Sequence, residues 1–161
     1  MVLNIIRVAP MTMRIIDFRP PKIAQLFVLV AIVLHWATPL KGLTLYSNPL
    51  LGIVLGISGF AVMMWGWLLF QKYETAVGPT ADNQFLVTAG VYRISRNPMY
   101  LGMVGILVAL AIFVGSLPFY VVAIVYFFII NNVFCPYEEK KLISTFGDKY
   151  LSYKNSVRRW F

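Results

Sequence analysis

The sequence predicts an all-α integral membrane protein. Four transmembrane helices, two of them in a C-terminal helical hairpin, follow an amphipathic N-terminal arm and precede C-terminal interfacial helices. Three observations carry this expectation. Of 161 residues, 60% are hydrophobic and 12% charged, and the mean hydropathy is +0.76. A soluble domain of this size could not bury so much apolar surface. The uncharged residues fall into long runs bounded by charged ones, of the length that crosses a bilayer. The net charge of +8 is spread over the short segments between those runs. That pattern belongs to membrane orientation, so no nucleic-acid partner is expected. One cysteine, Cys135, excludes an intrachain disulfide and a cysteine-based metal site, and one histidine, His35, removes most zinc chemistries; no metal is expected.

Residues 1–22 carry Arg7, Arg14, Arg19 and Lys22 among aliphatics and are broken by Pro10, Pro20 and Pro21. They read as an amphipathic arm lying on the bilayer surface or, equally, as a frayed terminus, ahead of a single domain over residues 23–161. The first strong apolar run starts near Ile23 with no small-residue cleavage pattern after it, so no cleavable signal peptide is expected. Ile23 to Leu40 is free of Asp, Glu, Lys and Arg and would span roughly 27 Å as a helix. His35 lies near its far end, where a satisfied or interfacial role is expected.

Leu50 to Phe70 is the second span. Its Gly52, Gly56 and Gly59 have the small-residue spacing that admits another helix, and Trp65 and Trp67 fall where an aromatic belt belongs. Residues 71–97 form the long polar connection, a length that is often functional. From Asn97 to Tyr137 no residue is charged. One straight helix over that stretch would reach roughly 60 Å, twice the hydrocarbon core, so it must turn back. Gly115-Ser116-Leu117-Pro118 is the turn, giving spans over 99–114 and 118–133.

Pro136 suits the first turn of a helix, and Phe146-Gly147-Asp148 reads as a stop followed by a new N-cap. Tyr150, Tyr153, Val157 and Trp160 make an apolar stripe opposite Lys149, Lys154, Arg158 and Arg159, as on a helix lying in the interface. All the Lys and Arg residues but Lys41 lie in the arm, the 71–97 connection and the tail. The positive-inside rule therefore predicts four crossings with both termini cytoplasmic.

Chemistry-bearing residues gather where the connection re-enters the apolar segment. Asn97-Pro98 is a helix-start pair, and the positive end of that helix beside Arg96 suits a carboxylate or phosphate. Gly102 and Gly105 leave a bare strip against which a ligand or a helix could press. Glu138-Glu139 returns to the same surface. The pair is ordinary dipole compensation at a helix start, or a site for a cationic group or hydroxyls. Tyr92, Tyr100 and Tyr137 are interface aromatics that are equally suited to stacking on a purine.

The run from Leu86 through Gly90-Val91-Tyr92-Arg93 to Arg96-Asn97-Pro98-Met99-Tyr100-Leu101-Gly102 resembles that of the isoprenylcysteine carboxyl methyltransferase family. The later Glu138-Glu139-Lys140-Lys141-Leu142, Phe146-Gly147-Asp148, Tyr150 and Tyr153 are similar to its second motif. The resemblance covers roughly residues 48–160 and extends to phospholipid methyltransferases and membrane sterol reductases. In one respect the chain departs from it: the family's usual histidine is Asn97, which cannot accept a proton. Methylation of a carboxylate needs no base.

The resemblance implies S-adenosylmethionine as methyl donor and a lipidic acceptor, most simply a carboxylate of isoprenylcysteine type. It implies Arg96 and Glu139 as catalytic residues. The cofactor would be held by Tyr92, Asn97, Pro98, Tyr100, Leu101, Gly102, Tyr137, Glu138 and Glu139. The competing readings are a phospholipid N-methyltransferase, a nicotinamide-dependent reductase and a non-enzymatic scaffold. The short chain counts against a reductase's sterol cavity, and the lack of ionisable residues other than His35 in the spans counts against a carrier.

Overall fold

The computed structural model describes residues 19–37, 45–75 and 84–161. The amphipathic arm, apart from its last residues, and Lys41 lie outside them. The described chain is helical: α1 (Pro20–Ala37), α2 (Pro49–Lys72), a 3₁₀ turn (Gly90–Arg93), α3 (Pro98–Val114), α4 (Leu117–Ile129), a π-turn (Ile130–Phe134), α5 (Cys135–Phe146) and α6 (Asp148–Ser156). Proline near the N-terminal end starts most of these helices, where its missing N–H leaves no bond unmade.

The protein is an all-α integral membrane protein. Helix α1, helix α2 and the continuous stretch Leu117–Phe146 are long and apolar enough to cross a bilayer, and α3 is a shorter apolar helix. Leu26, Leu29 and Val33 of α1 and Leu50, Ile53, Ile57 and Phe60 of α2 are exposed. A helix that carries apolar side chains on its outward face as well as its inward one belongs in lipid. The spanning part of Leu117–Phe146 ends by Phe134, because Glu138-Glu139-Lys140-Lys141 places four charges in a row on the next turns.

Helix α2 lies along α3, α3 packs on α4, and α4 on α1. The glycines decide the first contact. A Cβ on Gly102 would stand 2.5 Å from the Gly59 carbonyl oxygen and 2.8 Å from the Met63 backbone nitrogen, so the two backbones touch there. Gly52 likewise sits under Phe113. The glycine stripe is therefore spent inside the protomer, on helix-to-helix packing. Gly102→Val should force the helices apart at a cost of about 1–3 kcal/mol, typical of overpacking. A lowered thermal midpoint in detergent would register it, and an unchanged midpoint would contradict this packing.

The expected hairpin forms. Gly115 closes α3 in the left-handed conformation (φ 70°), and Ser116 accepts or donates at 2.8 Å to His35 Nδ1. His35 is thus satisfied, as expected, with Phe119 and Trp36 edge-on to its ring.

Pro136 lies in the first turn of α5, as expected, and α4 runs on into that helix through the π-turn. The Cys135 N–H donates to the Ile130 carbonyl, a five-residue step. In that register Pro136 would face the Asn131 carbonyl and has no N–H to offer it. Arg159 Nη1 donates to that carbonyl instead, at 3.2 Å. The π-turn thus accommodates the proline without breaking the helix. One expectation about the tail is corrected: the Tyr150–Trp160 stripe packs on the protein rather than on the bilayer interface. Tyr150 and Tyr153 are buried, Tyr153 donates to the Tyr92 carbonyl at 2.7 Å, and Trp160 donates to Asn131 Oδ1 at 3.0 Å. Gly147 does stop α5 (φ 53°), but it occupies the N-cap position itself, with Asp148 the first residue of α6.

Candidate active site

A cavity of about 550 Å³ opens where the apolar helices give way to charge. Its apolar wall is Met63, Met64, Trp67 and Phe70 of α2 with Met99 and Met103 of α3. Its polar end brings together Tyr92, Arg96, Asn97, Tyr100, Glu138 and Glu139, and Arg19, Pro20 and Pro21 from the start of α1 stand beside it. Two stretches about forty residues apart in sequence meet because the α3–α4 hairpin returns the chain to its starting level.

The polar wall is built from the 95–97 turn upward. Ser95 is fully buried, and its hydroxyl accepts from the Asn97 N–H at 3.2 Å while donating to the Arg159 carbonyl at 3.0 Å. The expected N-cap by the Asn97 side chain does not form. Its amide Nδ2 donates instead to the Arg159 carbonyl at 3.3 Å, so only the Asn97 backbone carbonyl starts α3. The residue in the family's histidine position therefore ties down the C-terminal segment.

Glu139 is the centre of the charge arrangement. Its carboxylate lies 2.8 Å from Arg159 Nε, 2.9 Å from Lys154 Nζ and 3.3 Å from Arg96 Nη1. Burial pushes this carboxyl up, but hydrogen bonds from Arg159 and Lys154 and the charge of Arg96 outweigh it and hold it below the usual range. One carboxylate facing three cations leaves the neighbourhood positive. Glu139 is thus paired three times within the protein while it also lines the cavity.

Glu138 is the second carboxylate that lines the cavity. It accepts a 2.5 Å hydrogen bond from the Tyr100 hydroxyl. Facing the cavity, it keeps accessible surface although it lies deep among protein atoms. Burial pushes its carboxyl up to about 7, against the Tyr100 hydrogen bond and the Lys141 charge, which both pull it down.

Among the described residues, the Tyr92 hydroxyl and Arg96 Nε are the buried side-chain polar atoms with no hydrogen-bond partner. Both residues line the cavity. Buried polar groups are almost always paired, so two orphans on residues of one wall are unusual, although neither atom is itself open to the cavity in this structure.

Four expected site residues do not line the cavity. Pro98 is buried under Gly66, Leu101 and Gly102 turn toward α2 and a shallow apolar groove on its other side, and Tyr137, one step before Glu138, points off around the helix. Adjacent helical residues differ by about 100° in direction, so a contiguous motif cannot face one site throughout. The residues that sequence reasoning passed over are Ser95, Asn131, Lys154, Arg159 and the methionines. One signal was available: Asn131-Asn132 are adjacent amides in an uncharged run, and Pro136 just after them leaves a carbonyl in need of a donor.

Fold and site define a class: a small helical membrane protein with a half-polar, half-apolar cavity fed by two motif stretches. The chain belongs to the phospholipid methyltransferase family, whose family model matches residues 47–149. This places it among the membrane methyltransferases that include the isoprenylcysteine type. It is also 39% identical over 62 residues to an uncharacterized protein of Haemophilus influenzae, an alignment covering 38% of this chain and 98% of that protein. No solved structure matches it.

Proposed function

We propose that the protein transfers a methyl group from S-adenosylmethionine to a lipidic acceptor in the membrane. The observation that carries this reading is that one cavity is lined by Tyr92 and Arg96, a hydroxyl and a guanidinium, together with the Glu138 carboxylate. An amino-acid end group needs both: donors for its carboxylate and an anion for its ammonium. The cavity volume, about 550 Å³, falls within the roughly 300–1,000 Å³ of small-molecule sites. The residues present therefore fit the cofactor, which when bound supplies an electrophilic methyl on a sulfonium.

The chain's own task is positioning and exclusion of water. Arg96 and Tyr92 hold the carboxylate end, and Glu138, steadied by Tyr100, holds the ammonium. Phe70, Tyr92 and Phe85 offer ring faces for the purine. Met63, Met64, Trp67 and Met103 take the acceptor's apolar chain, which enters between the start of α1 and α2. Methionine suits this because its unbranched thioether adapts to irregular shapes. The charged segments lie on the cytoplasmic side with both termini, in four crossings. Asn97 supplies no base, which agrees with a carboxylate acceptor of isoprenylcysteine type.

The family's description favours a second acceptor, the amine of a phospholipid. An amine must lose a proton, and Glu138, near neutrality, is the group that could take it. Following labelled methyl onto a prenylcysteine carboxylate or onto phosphatidylethanolamine decides between them.

The cofactor site has a pH signature. Glu138 is ionised above about 7 and loses its charge below it. Affinity for S-adenosylhomocysteine should therefore fall about tenfold from pH 8 to pH 6, following the ionised fraction. Glu138→Gln should bind weakly and without that slope. Calorimetry across the range checks it; an equal slope in the variant would remove Glu138 from the site.

A further inference from the structure

We infer that Arg159, which does not line the cavity and lies beyond the residues the family model matches, is the positioning residue that fixes the two halves of the site against each other. The inference rests on the proposed cofactor site.

After α6 the backbone becomes extended at Val157 (φ −125°, ψ 133°) and crosses back over the site. The carbonyl, Nε and Nη1 of Arg159 then each join a different segment. Its carbonyl accepts from Ser95 Oγ and Asn97 Nδ2, which lie in the turn carrying Arg96. Its Nε donates to Glu139 Oε1 at 2.8 Å, next to Glu138. Its Nη1 donates to the Asn131 carbonyl at 3.2 Å and to Asn131 Oδ1 at 3.3 Å, in the π-turn. The neighbouring Arg158 carbonyl accepts the Arg96 N–H at 3.0 Å.

The consequence is geometric. The π-turn joins α4 to α5, and its extra residue rotates the helix after it, so it sets where Glu138 points. Its Asn131 carbonyl, opposite Pro136, accepts from Arg159 Nη1. The same guanidinium grips Glu139, and the same residue's carbonyl grips the Arg96–Asn97 turn. The forked side chain fixes where this backbone carbonyl lies against Glu139 and Asn131, and so sets the distance between the donors for a ligand carboxylate and the anion for its ammonium. Lysine could keep one of these bonds but not bridge Asn131 and Glu139 together.

The test compares wild type, Arg159→Lys and Arg159→Ala in detergent, reading both thermal midpoint and calorimetric affinity for S-adenosylhomocysteine well below the midpoint. Arg159→Ala should bind at least tenfold more weakly while folded, and Arg159→Lys should fall between it and wild type. A purely stabilising role would lower the midpoint and leave the affinity of the folded protein unchanged; that result overturns the inference. If Arg159→Ala does not fold, Arg159→Lys decides: wild-type affinity in that variant overturns the inference equally. Wild type that binds no S-adenosylhomocysteine is a different failure, which removes the proposed cofactor site and the role of Arg159 with it.

Discussion

Replacing Glu139 by alanine is expected to destabilise the fold by about 3 kcal/mol, the lower end of what breaking a buried ion pair costs. The side chain is 7% exposed and that of Arg96 9%, so the substitution leaves a buried guanidinium without its counter-charge. Lys154 and Arg159, at 36% and 29%, keep enough water to soften the loss. Denaturant or thermal unfolding in detergent measures it. A change under about 1 kcal/mol, the range of an exposed pair, would show that the three cations do not depend on Glu139. Loss of activity in this variant would report the collapse of the wall, not removal of a catalytic group.

Arg96→Ala should behave in the opposite way. Glu139 retains Lys154 and Arg159, so the fold loses less than in Glu139→Ala. Ligand affinity should drop by about 10- to 150-fold, the equivalent of one hydrogen bond to a charged group at roughly 1.5–3 kcal/mol. Arg96→Lys should recover little, because the orphaned Nε belongs to the guanidinium plane. Calorimetry with S-adenosylhomocysteine distinguishes the cases. Unchanged affinity in Arg96→Ala would mean that Arg96 serves only Glu139.

The fold was legible where composition and turn chemistry act alone. Uncharged runs fixed the apolar helices, and Gly115 with Pro118 fixed the hairpin turn. The meeting of the 92–100 and 138–139 stretches followed from the hairpin's return. What could not be read was which member of each motif faces inward. Glu138 and Glu139 are adjacent, yet one is tied to three cations and the other is hydrogen-bonded to Tyr100 over the cavity. That division depends on a π-turn whose extra residue rotates everything after it by about 100°, and no local pattern marks its register. Asn97 misled for a similar reason. Its capping propensity is real, but the Arg159 carbonyl, remote in sequence, competes for its side chain and wins. The tail's stripe likewise has the period of an interfacial helix, and period alone does not tell lipid from a tyrosine-lined protein surface.

The most direct test of the central claim is a calorimetric titration of well-folded, detergent-purified wild type with S-adenosylhomocysteine at pH 8, where Glu138 is ionised. The account predicts saturable binding at one site per chain with a micromolar-range Kd. Folded protein that yields no saturable heat would contradict it, and the Tyr92, Arg96 and Glu138 wall would then have to serve some other ligand.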